Sequence, residues 1–308
     1  MNKVPQTNTT KEHHRHKENF LANLLSGGVA GAIAKTAAAP AERVKLLLQT
    51  ESANLKVKKP YNGVIDCLTR TVKEDGFWSL WRGNWANVVR YFPTQALNFA
   101  FKDIYEVRFN PYDPKIEPGK YFIGNIVSGG MAGTTTTFFV YPLDFARTRL
   151  GVDIGRGSER QFRGIFDVIK TIYKHDGITG LYKGIGPGII GIFLYRGLYF
   201  GVYDSGKALF LNKDASGITK FFFAQFCVLL SEGVSYPTDT VKRKLMLQAG
   251  RDEVQYKSAM DCTRQIWEKE GIKGFWKGYL SNILRSVGGT LCLVLYDEFQ
   301  LLHSKNKQ

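Results

Sequence analysis

The segments PAERVK (residues 40–45), PLDFAR (142–147) and PTDTVK (237–242) share the pattern that decides the fold. Each begins with proline, has an acidic residue two positions later and ends with a basic residue three positions after the acid. The copies begin 102 and 95 residues apart in a chain of 308 residues. This even spacing indicates that a unit of roughly 100 residues is used three times.

Further patterns recur at the same place in each unit. An apolar, glycine-rich stretch leads into the proline segment, and an amphipathic segment follows it. Next comes a turn that ends in an aromatic residue, a base and glycine, at 76–83, 177–184 and 271–278. We divide the chain into three repeats, 20–112, 119–213 and 216–303, preceded by a polar tail, 1–19. The tail contains His13, His14 and His16 and is predicted to be solvated and disordered, with a metal site as the alternative.

Each repeat is predicted to contain two long helices, at 20–49 and 86–108, 121–151 and 187–210, 218–248 and 280–302. A 30-residue helix is about 45 Å long, enough to cross a bilayer. All six carry polar residues at helical spacing, which predicts one face toward lipid and one toward a water-filled cavity. The expected fold is an all-α membrane protein, a three-fold pseudosymmetric bundle of six transmembrane helices with three short helices. A soluble helical repeat protein explains the period but not the long apolar helices.

Composition and charge narrow the function classes. Lys and Arg exceed Asp and Glu by 15, which predicts an anionic partner. The basic residues are spread over helices and loops, so a nucleic-acid surface is not expected. The four cysteines lack zinc spacing. No nucleophile–base pair or phosphate loop is recognisable, so neither an enzyme nor a cofactor is expected.

The acid and base of each proline segment lie three residues apart, on one helix face. They could form three separate pairs, each on its own helix. Alternatively, three helices that converge could exchange partners and close one end of the cavity. The predicted ring then pairs Glu42 with Arg147, Asp144 with Lys242 and Asp239 with Lys45. Exposed ion pairs contribute about 0–1 kcal/mol each, so a ligand could open such a ring.

Four basic residues, Lys35, Arg90, Arg196 and Arg285, lie inside the apolar helices. A charge at bilayer depth costs several kcal/mol and normally faces a cavity with a partner. Four such cations predict a polyanionic substrate, unless each pairs with a carboxylate of the protein. Arg196 is expected to be structural.

The repeated proline segment followed by the aromatic–base–glycine turn resembles the mitochondrial carrier family over residues 20–303. Within that family, the segments 35–49, 81–84, 90–101 and 141–150 are similar to the adenine nucleotide carriers. The resemblance implies a monomer in the inner mitochondrial membrane that exchanges ADP for ATP by alternating access. The proline-segment ring would then be a gate on the matrix side.

The resemblance also implies roles for individual residues. Lys35, Arg90 and Arg285 would hold the substrate's phosphates, Gly191, Ile192 and Tyr195 would form the adenine pocket, and Asn98 and Ser235 match as well. The aromatic–base–glycine turns, together with residues 61–63 and 162–164, imply cardiolipin binding. The third partner, residues 256–258, lacks the glycine, so its site is expected to be looser.

Two departures from those carriers favour an alternative substrate. The run Lys242, Arg243, Lys244 stands where they have three arginines, and arginine offers a bidentate fork that lysine lacks. Glu232 lies five residues before Pro237, as Lys35 does before Pro40, where they have a small residue. We predict that Glu232 pairs with a cavity cation and alters charge preference or couples protons. The alternatives are a carrier for another anionic nucleotide or coenzyme, and a non-transporting scaffold, against which intact Lys35, Arg90 and Arg285 argue.

The resemblance also implies a second ring at the other, cytosolic mouth, from an aromatic–acid–x–x–base pattern at the end of the second long helix of each repeat. Tyr203, Asp204 and Lys207 keep it, whereas the bases expected after Asp103 and Asp297 are replaced by Glu106 and Gln300. Asp103 can pair with Lys207. Asp204 would face Gln300, and Asp297 would face Glu106. The sequence predicts a weak cytosolic gate and a resting preference for the cytosol-open state.

Overall fold

The computed structural model describes residues 31–112, 116–210 and 217–287, apart from the side chains of residues 201, 204–210, 217, 218 and 220. Within these ranges the chain forms nine α-helices, three in each repeat. In repeats 1 and 2 a short helix lies between two long ones, and in repeat 3 the last helix is described over nine residues. The helices are α1 (31–50), α2 (Val64–Asp75), α3 (Asn84–Phe109), α4 (Pro118–Gly151), α5 (Ile165–Leu181), α6 (Ile185–Phe210), α7 (Gly217–Gln248), α8 (Ala259–Glu270) and α9 (279–287). The all-α class is confirmed.

The long helices agree with the sequence prediction within a few residues wherever both of their ends are described. The segment predicted at 121–151 is α4, and the segment predicted at 218–248 is α7. The proline of each motif lies inside its helix, as Pro142 does in α4 and Pro237 in α7. The helices therefore continue through the prolines and carry the motif's acid and base on their last turns.

Membrane spans are less evident from composition than the sequence predicted. Among the described residues, no single helix combines the length and apolarity that mark a span by composition alone. One bent pair meets the test together, Ile165–Leu181 with Ile185–Phe200, at an angle of 50°.

A glycine ends the regular part of each short helix. Gly76, Gly177 and Gly271 have φ values of 91°, 67° and 66°, a region that residues with a side chain rarely adopt. In repeat 2 this break lies within α5, and in the other repeats a short 3₁₀ turn follows it, at Phe77–Trp81 and Ile272–Trp276. The break turns the chain from the short helix toward the next long one.

The glycine of each aromatic–base–glycine turn contacts the next repeat. A Cβ added at any of the three would lie within about 3 Å of a backbone carbonyl oxygen, so a side chain would separate the helices. The partners follow a closed cycle, and each is the base of a proline segment. The added Cβ would lie 3.0 Å from the Arg147 carbonyl oxygen at Gly83, 2.7 Å from that of Lys242 at Gly184 and 2.8 Å from that of Lys45 at Gly278. Repeat 3 thus closes back onto repeat 1.

The apolar core lies at the same end of the bundle as the proline segments. One cluster joins Tyr141 and Phe145 of α4 to Ile172 of α5 and Met246 of α7. A second cluster joins Leu46 of α1 to Leu245 of α7 and Ile266 of α8. Because both clusters connect different repeats, they hold the three motifs together beneath the cavity.

Candidate functional site

The three proline segments meet at one end of the bundle, and their charged side chains pair between repeats. Lys242 Nζ lies 2.7 Å from Asp144 Oδ2, Lys45 Nζ lies 3.0 Å from Asp239 Oδ2, and Arg147 contacts Glu42. We call these six residues the proline-segment ring. Its members are 9–28% exposed, so the pairs are more shielded than surface ion pairs. The structure contains the inter-repeat partners that the sequence proposed; their action as a gate stays a prediction.

Two further residues brace the ring. Gln49 donates hydrogen bonds to Asp239 Oδ2 at 3.2 Å and to Thr240 Oγ1 at 3.0 Å. Arg243 donates to Asp239 Oδ1 at 3.2 Å and approaches Asp144 Oδ2 to 3.5 Å. The Arg243 guanidinium therefore bridges two of the three acids, a role that sequence reasoning did not assign to it.

Three different environments surround the basic residues of the run Lys242, Arg243 and Lys244. Lys242 belongs to the ring and Arg243 bridges it. Lys244 is fully buried outside the ring, where its ammonium contacts Glu270 and lies 2.7 Å from Ser52 Oγ. Its position is structural, because it ties the third short helix to the loop after α1.

An outer layer of charges repeats the cyclic arrangement. The acid before each glycine break pairs with the base of the following turn, and it also accepts a hydrogen bond from the next repeat. Asp176, for example, pairs with Lys183 at 2.7 Å and accepts from the Gly250 amide at 2.8 Å. Partial burial opposes ionisation of Asp176, but hydrogen bonds from Lys183, the Gly250 amide and His175 lower its pKa to about 2. This layer keeps neighbouring repeats in register.

A cavity of about 580 Å³ lies above the ring and carries an excess of positive charge. Its lining includes seven basic side chains and three acidic ones. The basic residues are Lys45, Arg90, Arg147, Arg196, Lys242, Arg243 and Arg285, and the acidic ones are Asp144, Glu232 and Asp239. Because basic side chains outnumber acidic ones, the cavity suits a polyanion. No group of His, Cys, Asp and Glu suited to a metal ion occurs among the described residues.

Most of the predicted substrate residues share this cavity. Its lining contains Arg90, Asn98, Gly191, Ile192, Tyr195, Glu232, Ser235 and Arg285. Lys35 is not part of the lining, and its ammonium lies 5.3 Å from the centre of the Tyr91 ring. Sequence reasoning missed Thr94, Thr136 and Tyr199, which also line the cavity.

The predicted adenine pocket is the part of the cavity where Gly191 and Ile192 of α6 lie beside Thr238 of α7. A Cβ at Gly191 would come within 2.6 Å of Thr238 Oγ1, so any side chain there would displace Thr238. Tyr195 stacks on Tyr199 with ring centres 6.1 Å apart, and Tyr199 stacks on Tyr203 at 5.7 Å. The spacing of four residues placed these tyrosines on one helix face and could have revealed the stack.

The cavity arginines differ in how fully they are paired. Arg285 Nη2 lies 3.1 Å from Glu232 Oε1, and Asn282 donates to Glu232 Oε2 at 2.8 Å. This is the cation contact predicted for Glu232; its effect on substrate choice stays a prediction. Arg90 approaches Asp144 only to 3.9 Å. Arg90 is therefore the less neutralised of the two arginines.

Arg196 lies between α4 and α6, beside two glycines spaced four residues apart. A Cβ at Gly129 would come within 3.2 Å of Arg196 Nη1, and one at Gly133 within 3.3 Å of Nε. No carboxylate among the described residues forms an ion pair with Arg196. The packing against the glycine pair agrees with a structural role, although the side chain also lines the cavity.

The structure describes only part of the predicted second ring. Asp103 lies on α3, toward the end opposite the proline segments. Asp204 and Lys207 lie on α6, with side chains outside the described part of the chain. Asp297 lies outside the described residues altogether.

Comparison with known proteins agrees with this architecture. The family described as "Mitochondrial carrier protein" matches three times, over residues 16–113, 119–214 and 213–307. The mitochondrial substrate carrier family protein ancA of Dictyostelium discoideum is 53% identical over 289 residues, covering 92% of this chain and 94% of the relative. ADP/ATP translocase 4 of Homo sapiens is 48% identical over 305 residues, 97% of both chains, and ADP/ATP translocase 3 of Bos taurus is 50% identical over 289 residues, 92% and 97% respectively. The chain belongs to the mitochondrial carrier family, whose members are multi-pass transporters of the inner mitochondrial membrane and not enzymes.

Proposed function

We propose that the chain exchanges adenine nucleotides, ADP for ATP, across the inner mitochondrial membrane. The observation that carries this proposal is the cavity, which has more basic than acidic side chains and is closed beneath by the proline-segment ring. Arg90 and Arg285 lie on its wall, and a guanidinium can grip phosphate oxygens with two parallel hydrogen bonds. The ADP/ATP translocases named above, about half identical over most of the chain, support the same substrate class.

The substrate would lie across the cavity with its two ends in different surroundings. Its phosphates would bind Arg90 and Arg285, with Lys35 completing the set from α1. Its base would bind beside Gly191 and Ile192 and stack on Tyr195. Asn98 and Ser235 would be further polar contacts. The aligned rings of Tyr195 and Tyr199 are compatible with a flat aromatic base.

Exchange would proceed by alternating access in a three-fold bundle of six transmembrane helices. In the conformation described, the proline-segment ring is paired, which corresponds to a cavity closed toward the matrix. Opening requires that the three inter-repeat pairs separate. The second ring, with Asp103, Asp204, Lys207 and Asp297, retains one of three possible pairs, so we expect the cytosol-open state to be preferred at rest.

Glu232 supports a second candidate, a carrier for another anionic nucleotide or coenzyme. Its carboxylate neutralises Arg285, which lowers the positive charge available to phosphates. The Glu232 carboxylate would repel a substrate with fewer negative charges less strongly than it repels ATP. A non-transporting scaffold is a weaker candidate, because it would not require a cavity with more basic than acidic side chains.

Cardiolipin is the proposed lipid partner, and the proposed oligomeric state is a monomer. Helix starts present free N–H groups that suit a phosphate. Gly63 and Gly164 precede α2 and α5 without a side-chain cap, whereas Ser258 Oγ already accepts the Asp261 amide at α8. The Asp261 amide is therefore already bonded to the serine and is not free for a lipid phosphate, which supports a looser third site.

The test is uptake by the purified protein in liposomes loaded with ADP. Labelled ADP, ATP, other nucleoside phosphates and nucleotide coenzymes would be offered in turn. Exchange restricted to ADP and ATP supports the proposal, exchange of another member supports the second candidate, and no uptake of any member favours the scaffold. Arg264→Gln is a matched control, since Arg264 is an exposed arginine on α8 paired with Glu268.

A further inference from the structure

Each of the three proline segments leaves one backbone carbonyl without its helical partner. In an α-helix the carbonyl of residue i accepts from the N–H of residue i+4, and proline has no N–H. The carbonyls released by Pro40, Pro142 and Pro237 belong to the residues four positions earlier, Thr36, Phe138 and Gly233. A backbone carbonyl away from water is costly unless another donor reaches it.

In all three repeats that donor is the aromatic residue of the aromatic–base–glycine turn. Trp81 Nε1 donates to the Thr36 carbonyl at 2.9 Å, Tyr182 Oη donates to the Phe138 carbonyl at 3.1 Å, and Trp276 Nε1 donates to the Gly233 carbonyl at 2.9 Å. An indole N–H and a phenol O–H thus reach equivalent carbonyls from rings of different shape. What the three positions share is a polar hydrogen on an aromatic ring.

A proline elsewhere in the bundle lacks this arrangement. Pro93 lies inside α3 and releases the carbonyl of Val89 in the same way. No side chain of the described residues donates to that carbonyl. A proline inside a long helix does not by itself recruit a donor, so the three bonds are a feature of the proline segments.

We propose that these three hydrogen bonds are latches that hold each proline-containing helix against the start of the paired helix and so position the ring. The residue two places after each aromatic is the glycine that contacts a ring base of the next repeat, as Gly184 contacts Lys242. A latch therefore connects the carbonyl released by one proline to the ring position of a neighbouring repeat. Trp81, Tyr182 and Trp276 act as positioning residues and do not touch the substrate cavity.

Repeat 2 allows the cleanest test, because Tyr182→Phe removes only the hydroxyl. The ring remains stacked on Tyr141, with centres 5.7 Å apart and planes 10° apart. We expect the melting temperature of the purified protein to fall by about 2–4 °C, the size associated with one net hydrogen bond. The control is Tyr173→Phe on α5, the short helix of the same repeat, where the side chain is 58% exposed and forms no hydrogen bond within the described residues. The melting temperature of this variant should change by less than about 1 °C.

A double-mutant cycle separates a latch from general stabilisation. Pro142→Ala restores an N–H that can bond the Phe138 carbonyl, so Tyr182→Phe should cause no further drop in that background. Equal drops in both backgrounds, or no drop beyond the Tyr173→Phe control in the wild-type background, would overturn the proposal. Should Pro142→Ala not yield folded protein, the same cycle applies to Pro237→Ala with Trp276→Phe, with the exposed Trp267→Phe as control.

Transport gives a second readout. Because the cavity lining is unchanged, ADP exchange by Tyr182→Phe should show a maximal rate altered by about fivefold with an unchanged KM, corresponding to one net hydrogen bond acting on ring opening or closing. An altered KM at constant maximal rate would contradict a positioning role. This readout rests on the proposed function, whereas the melting cycle does not, so failure of the two can be told apart.

Discussion

The closed end of the bundle and the cavity above it use charge in opposite ways. In the ring each of three acids meets a base from a neighbouring repeat, and the charges cancel. In the cavity wall above it Arg285 pairs with Glu232, Arg90 approaches Asp144 only to 3.9 Å, and Arg196 has no carboxylate partner among the described residues. The balanced region stabilises one conformation of the protein, and the unbalanced region retains its attraction for a partner from outside. The paired charges of the ring favour the closed conformation, and the surplus positive charge of the cavity is available to an anion.

The largest effect should come from the unbalanced region. We expect Arg285→Gln to reduce nucleotide exchange by about 100-fold, because a charge-assisted hydrogen bond to phosphate contributes about 1.5–3 kcal/mol. The substitution also leaves Glu232 in the cavity without its cation partner. Initial rates of labelled ADP uptake in liposomes measure the change.

The control for that prediction is Arg264→Gln, which removes an arginine of the exposed face of α8 and should leave uptake within about twofold of the wild type. Arg285→Gln uptake within twofold of the wild type would show that the cavity arginine does not bind substrate. Melting curves of both variants establish that a loss of uptake does not arise from unfolding.

The balanced region should give a smaller effect that can be reversed. Lys45→Glu places a carboxylate against Asp239 and should destabilise the closed conformation by about 1–2 kcal/mol, below the cost of breaking a fully buried pair because both side chains keep some exposure. The reciprocal variant Lys45→Glu/Asp239→Lys restores an opposite pair. We expect it to recover more than half of the loss in melting temperature. Recovery would be absent if Lys45 and Asp239 contributed independently.

Sequence periodicity predicted the repeats, the long helices and the ring partners because each depends on spacing that the chain itself repeats. The proline, acid and base at fixed offsets, together with three-fold order, predicted a cyclic set of partners that includes Lys45 with Asp239, beside the alternative of three separate pairs. The residues that sequence reasoning missed have no such repeat. Arg243 bridges two acids although its counterparts, Leu46 and Thr148, are not arginines.

Positions within the cavity were predicted less completely for the same reason. Lys35 matched its expected place in the sequence, but its ammonium lies over the Tyr91 ring, which occupies the space beside Gly31. That contact depends on a tyrosine of α3 that no pattern connected to α1. Thr238 under Gly191 is a similar case, since the two residues belong to different helices and only the folded structure brings them together.

Glu232 is an acid of the cavity wall. Its removal should increase the difference in net charge between the cavity and the ring. Glu232→Gln keeps a side chain that can bond Asn282 but frees Arg285. We expect uptake of ATP relative to ADP to rise about fivefold, because one cancelled charge near a phosphate corresponds to about 1 kcal/mol. Competition between the two labelled nucleotides gives the ratio directly. An unchanged ratio at all pH values between 6 and 8 would remove Glu232 from substrate selection.

The smallest effect should come from an exposed cluster outside both regions, at the contact of repeats 2 and 3. His175 Nδ1 lies 2.7 Å from Asp176 Oδ1 and its Nε2 lies 3.0 Å from Asp252 Oδ1, and these hydrogen bonds raise the pKa of His175 above its ordinary value. A raised pKa in the folded state means that the imidazolium contributes stability fully below about pH 6.5, the unfolded value, and that this contribution is lost as pH rises through the folded value.

The melting temperature of His175→Gln should therefore lie slightly below that of the wild type at pH 6, with the difference gone by about pH 9. Asp252→Asn provides the matched control, since it removes one of the two acids and should reproduce part of the low-pH difference. An equal difference at both pH values would mean that His175 acts through packing alone. Sensitivity of the melting temperature to pH between 6 and 9 should therefore include a contribution from this contact of repeats 2 and 3.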